Sequence, residues 1–166
     1  GVAYNTVVTL PFTLDTSAAT SLIYMFYGCS AMTTVPDMNT SNVTNMVGLF
    51  RDCSKLTSVP DMDTSKVTTM NDMFYNCSAL VTAPVISAGS VTNMNGMFSG
   101  CASLTHVPDM NTIAVTNAAN MFNRCSSLTN GNVRLIGKHP SVADSNMIAN
   151  SGLTRLPFYN AAGQPI

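Results

Sequence analysis

The stretch Met73-Phe74-Tyr75-Asn76-Cys77-Ser78-Ala79-Leu80 decides the reading of this chain, because its pattern returns at a fixed interval. Phenylalanine stands at 26, 50, 74, 98 and 122, and cysteine at 29, 53, 77, 101 and 125, every step being 24 residues. A constant period of that size marks stacked structural repeats: one unit cannot bury its own apolar side, and its neighbours complete the burial. At 166 residues the chain is read as one domain, 1–166. That length makes about six or seven turns, above the roughly three such stacks need.

Within a repeat the pattern changes character. Leu56-Thr57-Ser58-Val59-Pro60-Asp61-Met62 is rich in β-branched residues and reads as extended, and Asp63-Thr64-Ser65 is a polar corner. From Val67 to Cys77 the apolar residues fall at 67, 70, 73, 74 and 77, a spacing that predicts one face of a short helix. Thr64 or Ser65 is placed to cap it. The same spacing recurs at Val43, Met46, Leu49, Phe50 and Cys53, and at Val91, Met94, Met97, Phe98 and Cys101. Stacked, these units predict an α/β fold: a solenoid with a parallel sheet on one face and short helices on the other. Its crossovers are expected to be right-handed, as strand–helix–strand connections nearly always are. Pro36, Pro60, Pro84 and Pro108 lack an N–H, so the ladder is expected to be short.

The repeats are regular over 10–130. Gly1 to Thr9 reads as an entry strand, and Leu10-Pro11 is the first match to the later Val-Pro pairs. Residues 131–142 depart from the pattern as an irregular insertion carrying Arg134, Lys138 and His139. Residues 143–166 read as a degenerate last turn and a loose tail or junction. Met147 to Pro157 matches Phe98 to Pro108 at an offset of 49, with Asn150 in place of the cysteine.

Apolar residues make up 46% of the chain and charged ones only 9%, against about 25% in an average protein. With no Glu at all, the polar surface has to be built from Thr, Ser and Asn. The net charge is −1 and neither sign forms a run, which argues against nucleic acid and anionic membranes as partners. No apolar run approaches the ~20 residues of a membrane span, so no membrane insertion is expected. No signal peptide is recognisable, and the opening Gly1-Val2-Ala3 reads as a processed product or part of a larger polypeptide or assembly. Five evenly spaced cysteines are unlike zinc-ligand clusters and read as a buried column of free thiols. Rungs ~4.8 Å apart also allow one disulfide between neighbours.

Ligands of stacked repeats usually meet the strand face. The residues just before Val-Pro belong there, giving the candidate ligand-binding row Thr34, Ser58, Thr82, His106, Asn130 and Arg155. The competing reading is that Thr simply suits exposed strand positions. Asp37, Asp61 and Asp109 share a rung position and would suit a calcium ladder, but a solvated corner explains them better, and no metal site is assigned. Thr20, Thr44, Thr68, Thr92 and Thr116 recur in every turn, which points to packing or a backbone hydrogen bond rather than a site. His106 and His139 fall in different turns with no nucleophile or carboxylate arranged beside them. No catalytic residue and no cofactor are expected, and the chain is read as not an enzyme.

The pattern Met-Phe-x-x-Cys-x-x-Leu-x-x-Val-Pro resembles the BspA-type, or Treponema-type, leucine-rich repeats. It is most similar to the variant repeated in mycoplasma and other bacterial surface lipoproteins. Asn39-Thr40-Ser41-Asn42-Val43-Thr44-Asn45-Met46-Val47-Gly48-Leu49-Phe50 is the most recognisable stretch. The resemblance covers about 10–130 strongly and 143–157 weakly. It implies a right-handed leucine-rich-repeat-like solenoid of the kind found in bacterial surface adhesins and phage tail proteins. The expectation is therefore a non-catalytic extracellular recognition or adhesion module, on a bacterial surface or virion tail, that binds a host protein or glycan through its concave strand face. The alternative is a structural spacer or decoration without its own ligand.

Overall fold

The computed structural model describes residues 14–138 and 146–166. The expected entry strand Gly1 to Thr9, the Leu10-Pro11 pair and His139 lie outside the described residues.

Successive 24-residue segments pair in parallel. Ser21, Asn45, Thr69, Asn93 and Asn117 form a chain of parallel bridges, and Leu14 with Met38 and Thr82 with His106 add others at the same offset. The extended ladder is short. β1 (Met110–Asn111), β2 (Leu135–Ile136) and β3 (Phe158–Tyr159) make one parallel three-stranded sheet in the order β1-β2-β3. Met110 pairs with Leu135, and Leu135 with Phe158.

The expected short helices are absent; the only helical element among the described residues is one 3-10 turn, Asn130–Asn132. Val67 to Cys77 is instead a run of β-turns. Met73, Tyr75 and Cys77 donate their N–H groups three residues back, to the carbonyls of Met70, Asp72 and Phe74, at 3.1–3.2 Å. The alternate N–H groups, of Met70, Asp72, Phe74 and Asn76, leave the turn and donate to Asn93, Asn95, Met97 and Ser99 of the next segment at 2.7–2.9 Å. An α-helix would use all of them internally. Left-handed residues turn every second donor outward: Asp72 has φ 56 and Asn76 φ 57, which a right-handed helix cannot contain. The two positions recur through the chain, at Tyr24, Gly48, Asp72, Gly96, Asn120 and Asn146, and at Gly28, Asp52, Asn76, Gly100, Arg124 and Asn150. Most are Gly, Asn or Asp, the residues that adopt this conformation most readily. The expected helix cap takes another form too. Asp63 closes a turn by accepting from the Ser65 N–H at 3.0 Å, while the Thr64 hydroxyl faces Ser87 of the next segment.

Turns with this spacing still place Val67, Met70, Met73, Phe74 and Cys77 inside, all fully buried. Phe26, Phe50, Phe74, Phe98 and Phe122 stack face to face with centroids 5.4–5.8 Å apart. Each buried ring contributes about 1.5–3 kcal/mol by leaving water, and each ring pair about 0.5–1.5 more. The five cysteines are free thiols. The Sγ of Cys53, Cys77, Cys101 and Cys125 donates to the carbonyl of Phe26, Phe50, Phe74 and Phe98 respectively, at 3.0–3.1 Å. That shared role explains why the two residue types keep step. Outside the core, the hydroxyls of Thr44, Thr68, Thr92 and Thr116 each donate to the carbonyl of the preceding Thr of their column at 3.1–3.2 Å, so of packing and a backbone hydrogen bond it is the second that their recurrence marks.

At the C-terminal end the register shifts. The Phe122 N–H donates to Met147, as the Phe98 N–H does to Met121, and the left-handed pair Asn120 and Arg124 is matched by Asn146 and Asn150. Ile148 therefore stands where Phe122 stood, and Ser151, not Asn150, takes the cysteine's place. The offset of 49 matched Met147 to Phe98; the backbone matches it to Met97. The Ser151 hydroxyl donates to Ile148 at 2.6 Å, a bond within its own turn rather than to the neighbouring segment. Beyond β3 the chain doubles back. Asn160 N–H donates to Gln164, Ile166 N–H to Phe158, and Tyr159 bridges Pro165 in antiparallel fashion. The outer edge of β3 is thus covered, with a proline in the covering segment, which cannot extend the ladder.

Candidate functional site

The six candidate residues divide into two groups. Thr34, Ser58, Thr82 and His106 are exposed and lie on consecutive rungs. The backbone joins those rungs through Thr57 N–H to Thr33 O, Val81 N–H to Thr57 O and Thr105 N–H to Val81 O, and Thr82 bridges His106 directly. The neighbouring hydroxyls of Thr57 and Thr105 are spent on the carbonyls of Thr33 and Val81, at 3.3 and 3.1 Å. The row itself is therefore the freer set of polar side chains.

Asn130 opens the 3-10 turn and its amide is held by Thr154: Nδ2 donates to the Thr154 hydroxyl at 2.7 Å, and Oδ1 accepts from the Thr154 N–H at 3.1 Å. Arg155 is exposed, but it turns towards β3. Its Nη2 donates to the Tyr159 hydroxyl at 2.9 Å, and its guanidinium lies 5.3 Å from the centre of the same ring. Arg134 lies at the same distance from that ring and pairs with Asp109 at 3.2 Å. Lys138 lies over Phe158 at 5.2 Å. The sequence placed Arg155 in the row and marked Arg134 as a basic residue of the insertion, but it did not join them: Tyr159 lies four residues on from Arg155, and Arg134 meets its ring through the pairing of β2 and β3. Beside this cluster an open groove of about 620 Å³ is lined mainly by Met110, Ile113, Ile136, Ala161 and Ile166.

The aspartate column does not converge. Asp61 accepts from the Val85 N–H at 3.0 Å and Asp109 is taken by Arg134. Among the described residues no group of three or more His, Cys, Asp or Glu could hold a metal ion. A second polar network lies on the turn side. The Arg51 Nη1 bonds Asp72 at 2.8 Å, its Nε lies 3.6 Å from Asp52, and its guanidinium covers Tyr75 at 4.4 Å. Burial pushes the Asp72 carboxyl up, against the opposing pull of Arg51. The four buried thiols are inert as nucleophiles, because burial pushes Cys53 and Cys125 up to about 12 and drives Cys77 and Cys101 up as well.

Among the described residues no helix is long and apolar enough to cross a membrane. No curated protein and no solved structure matches the chain. A family model does, twice, over residues 9–87 and 57–152, the two matches starting two repeat lengths apart. The chain belongs to that family, described as "Mycoplasma protein of unknown function, DUF285", a repeat family associated with BspA-like surface proteins.

Proposed function

We propose that this chain is a non-catalytic recognition module of an extracellular surface or virion-tail protein. It is read as a right-handed, leucine-rich-repeat-like solenoid that engages a host protein or glycan through its strand face. The supporting observation is the contrast between two kinds of column. Inside, Phe and Cys repeat without change through the five turns from Phe26 to Cys125, before Ile148 and Ser151 replace them in the last. On the outer row the residues run Thr34, Ser58, Thr82, His106, Asn130, Arg155, all exposed but the half-buried Asn130. A column that serves only stacking has no reason to vary in charge and size. A surface that matches a partner does, because specificity rests on placed polar groups over a rigid scaffold. The BspA-type resemblance and the family's association with surface proteins support the extracellular setting.

The test is binding of the labelled domain to a glycan array and to intact cells, beside a His106→Ala/Arg155→Ala double variant. Saturable binding that the double variant weakens at least tenfold supports the reading. Saturable binding that the variant leaves untouched moves the site off the strand face. Absence of binding to either surface leaves the domain as a spacer within a larger assembly.

A further inference from the structure

We infer that the Arg155–Tyr159–Arg134 cluster is an anion subsite at the end of the strand face, and that its ligand is an acidic oligosaccharide. The inference rests on the recognition reading above and adds the class of ligand. The charge of this sparsely charged chain is segregated. Of eight acidic residues only Asp144 follows Asp109, whereas four of the seven basic residues do: Arg124, Arg134, Lys138 and Arg155. Two of these four meet on one aromatic ring. The Arg155 guanidinium is fixed by the Tyr159 hydroxyl at 2.9 Å and by the ring itself. It is exposed, and no carboxylate pairs with it among the described residues. Arg134 shares the ring and gives one of its nitrogens to Asp109 at 3.2 Å, so the one carboxylate offsets one of the two guanidiniums.

An exposed arginine normally loses conformational freedom when it binds. A guanidinium already held in place by a buried tyrosine loses less, and its planar fork matches a carboxylate or sulfate. The remainder of the face selects for sugar over acidic peptide. From Thr34 to His106 it offers hydroxyl and imidazole groups and no further cation. A polyanionic peptide would need a basic group at each of its charged residues. An oligosaccharide with acidic groups needs one or two, with neutral hydrogen-bonding groups for the hydroxyls of the other rings.

The experiment is an isothermal titration at neutral pH and low salt with three probes: oligogalacturonate hexamer, neutral maltohexaose and hexaglutamate. The proteins are the wild type, Arg155→Gln, Tyr159→Phe and the exposed control Arg124→Gln. Thermal melts establish that each variant is folded. The expected result is saturable binding of the oligogalacturonate that weakens about tenfold or more in Arg155→Gln. Tyr159→Phe removes only the tether and is expected to weaken binding a few-fold, and Arg124→Gln not at all. Hexaglutamate binding as tightly as the sugar, or an equal loss in Arg124→Gln, would reduce the cluster to general charge attraction and overturn the inference. Saturable maltohexaose binding that Arg155→Gln leaves unchanged would overturn it too, while the recognition reading stands. No affinity for the acidic sugar, with cells and neutral glycans equally unbound, would bring down both.

Discussion

Raising the pH from about 8 to about 10 should destabilise this protein far more than its few charges suggest, through its cysteine column. In the folded state burial pushes Cys53 and Cys125 up to about 12, and drives Cys77 and Cys101 up as well. An unfolded thiol ionises near 9.0. Above that value the unfolded chain sheds protons that the folded chain keeps. The unfolded state then binds fewer protons, so stability falls as pH rises. The contribution is intact below about pH 8 and is lost progressively as the pH climbs towards the folded values. For each buried thiol the loss is a fraction of a kcal/mol at about pH 9 and on the order of 1 kcal/mol at about pH 10. Four thiols together lose on the order of 5 kcal/mol at about pH 10, comparable to the whole stability of many domains. The assay is urea unfolding followed by circular dichroism in a reducing agent, at about pH 7, 8, 9 and 10. Tyrosines and lysines titrate in the same range, so the decisive comparison is Cys101→Ala, which should lessen the drop by about a quarter while lowering stability at neutral pH. A wild-type stability that is flat to about pH 10, or a drop identical in Cys101→Ala, would refute the buried-thiol argument.

Ellman's reagent should label Cys29 alone in the native protein, because it is the one half-buried cysteine, and all five only after denaturation; rapid native labelling of Cys77 or Cys101 would contradict the core. Phe74→Ala removes the middle ring of the stack, flanked at 5.4 Å on both sides, and is expected to cost about 3–5 kcal/mol in urea unfolding. A cost under about 1 kcal/mol would mean the stack is not continuous. Gly48→Ala should cost about 2 kcal/mol, since Gly48 has φ 58 and the Tyr24 ring occupies the place of a Cβ; in a Tyr24→Ala background only the backbone part, about 1 kcal/mol, should remain. Deleting 160–166 uncovers the β3 edge and should promote concentration-dependent aggregation, measured by light scattering.

The period and the core were legible because they are the same fact. Phe74 repeats at 24 residues, and each copy packs on the last, so constancy in sequence is contact in space. The helix was misread for an equally physical reason. Apolar residues at 67, 70, 73, 74 and 77 report which side chains face inward, and a chain of i→i−3 turns puts them inward as a helix does. What separates the two is where the alternate N–H groups go, and the signal for that lay in another column. Gly28, Asp52, Asn76 and Gly100, with Gly48, Asp72, Gly96 and Asn120, share the readiness for positive φ. Tyr24 and Arg124 break the rule and hide it.

The site was legible only where it follows the period. Thr34, Ser58, Thr82 and His106 stand on adjacent rungs because the spacing between them is the spacing of the stack. Arg155 has a different logic. Its partner Tyr159 is four residues away, and Arg134 joins them because β2 pairs with β3 at Leu135 and Phe158, in a region where the register has shifted. A repeat alignment averages over such a place and sees only decay. Yet the backbone there still stacks, Arg134 beside Asp109 and Tyr159 opposite Ile136, while the changed side chains hold a second charge and a hydroxyl beside Arg155. In a protein built of near-identical rungs, the worn end is where side chains can be arranged for something other than the next rung. The cationic cluster is therefore a better place to look for chemistry than the regular row, and Arg155→Gln a sharper probe than His106→Ala. If His106→Ala abolishes binding and Arg155→Gln does not, that ranking is wrong and the regular row carries the recognition.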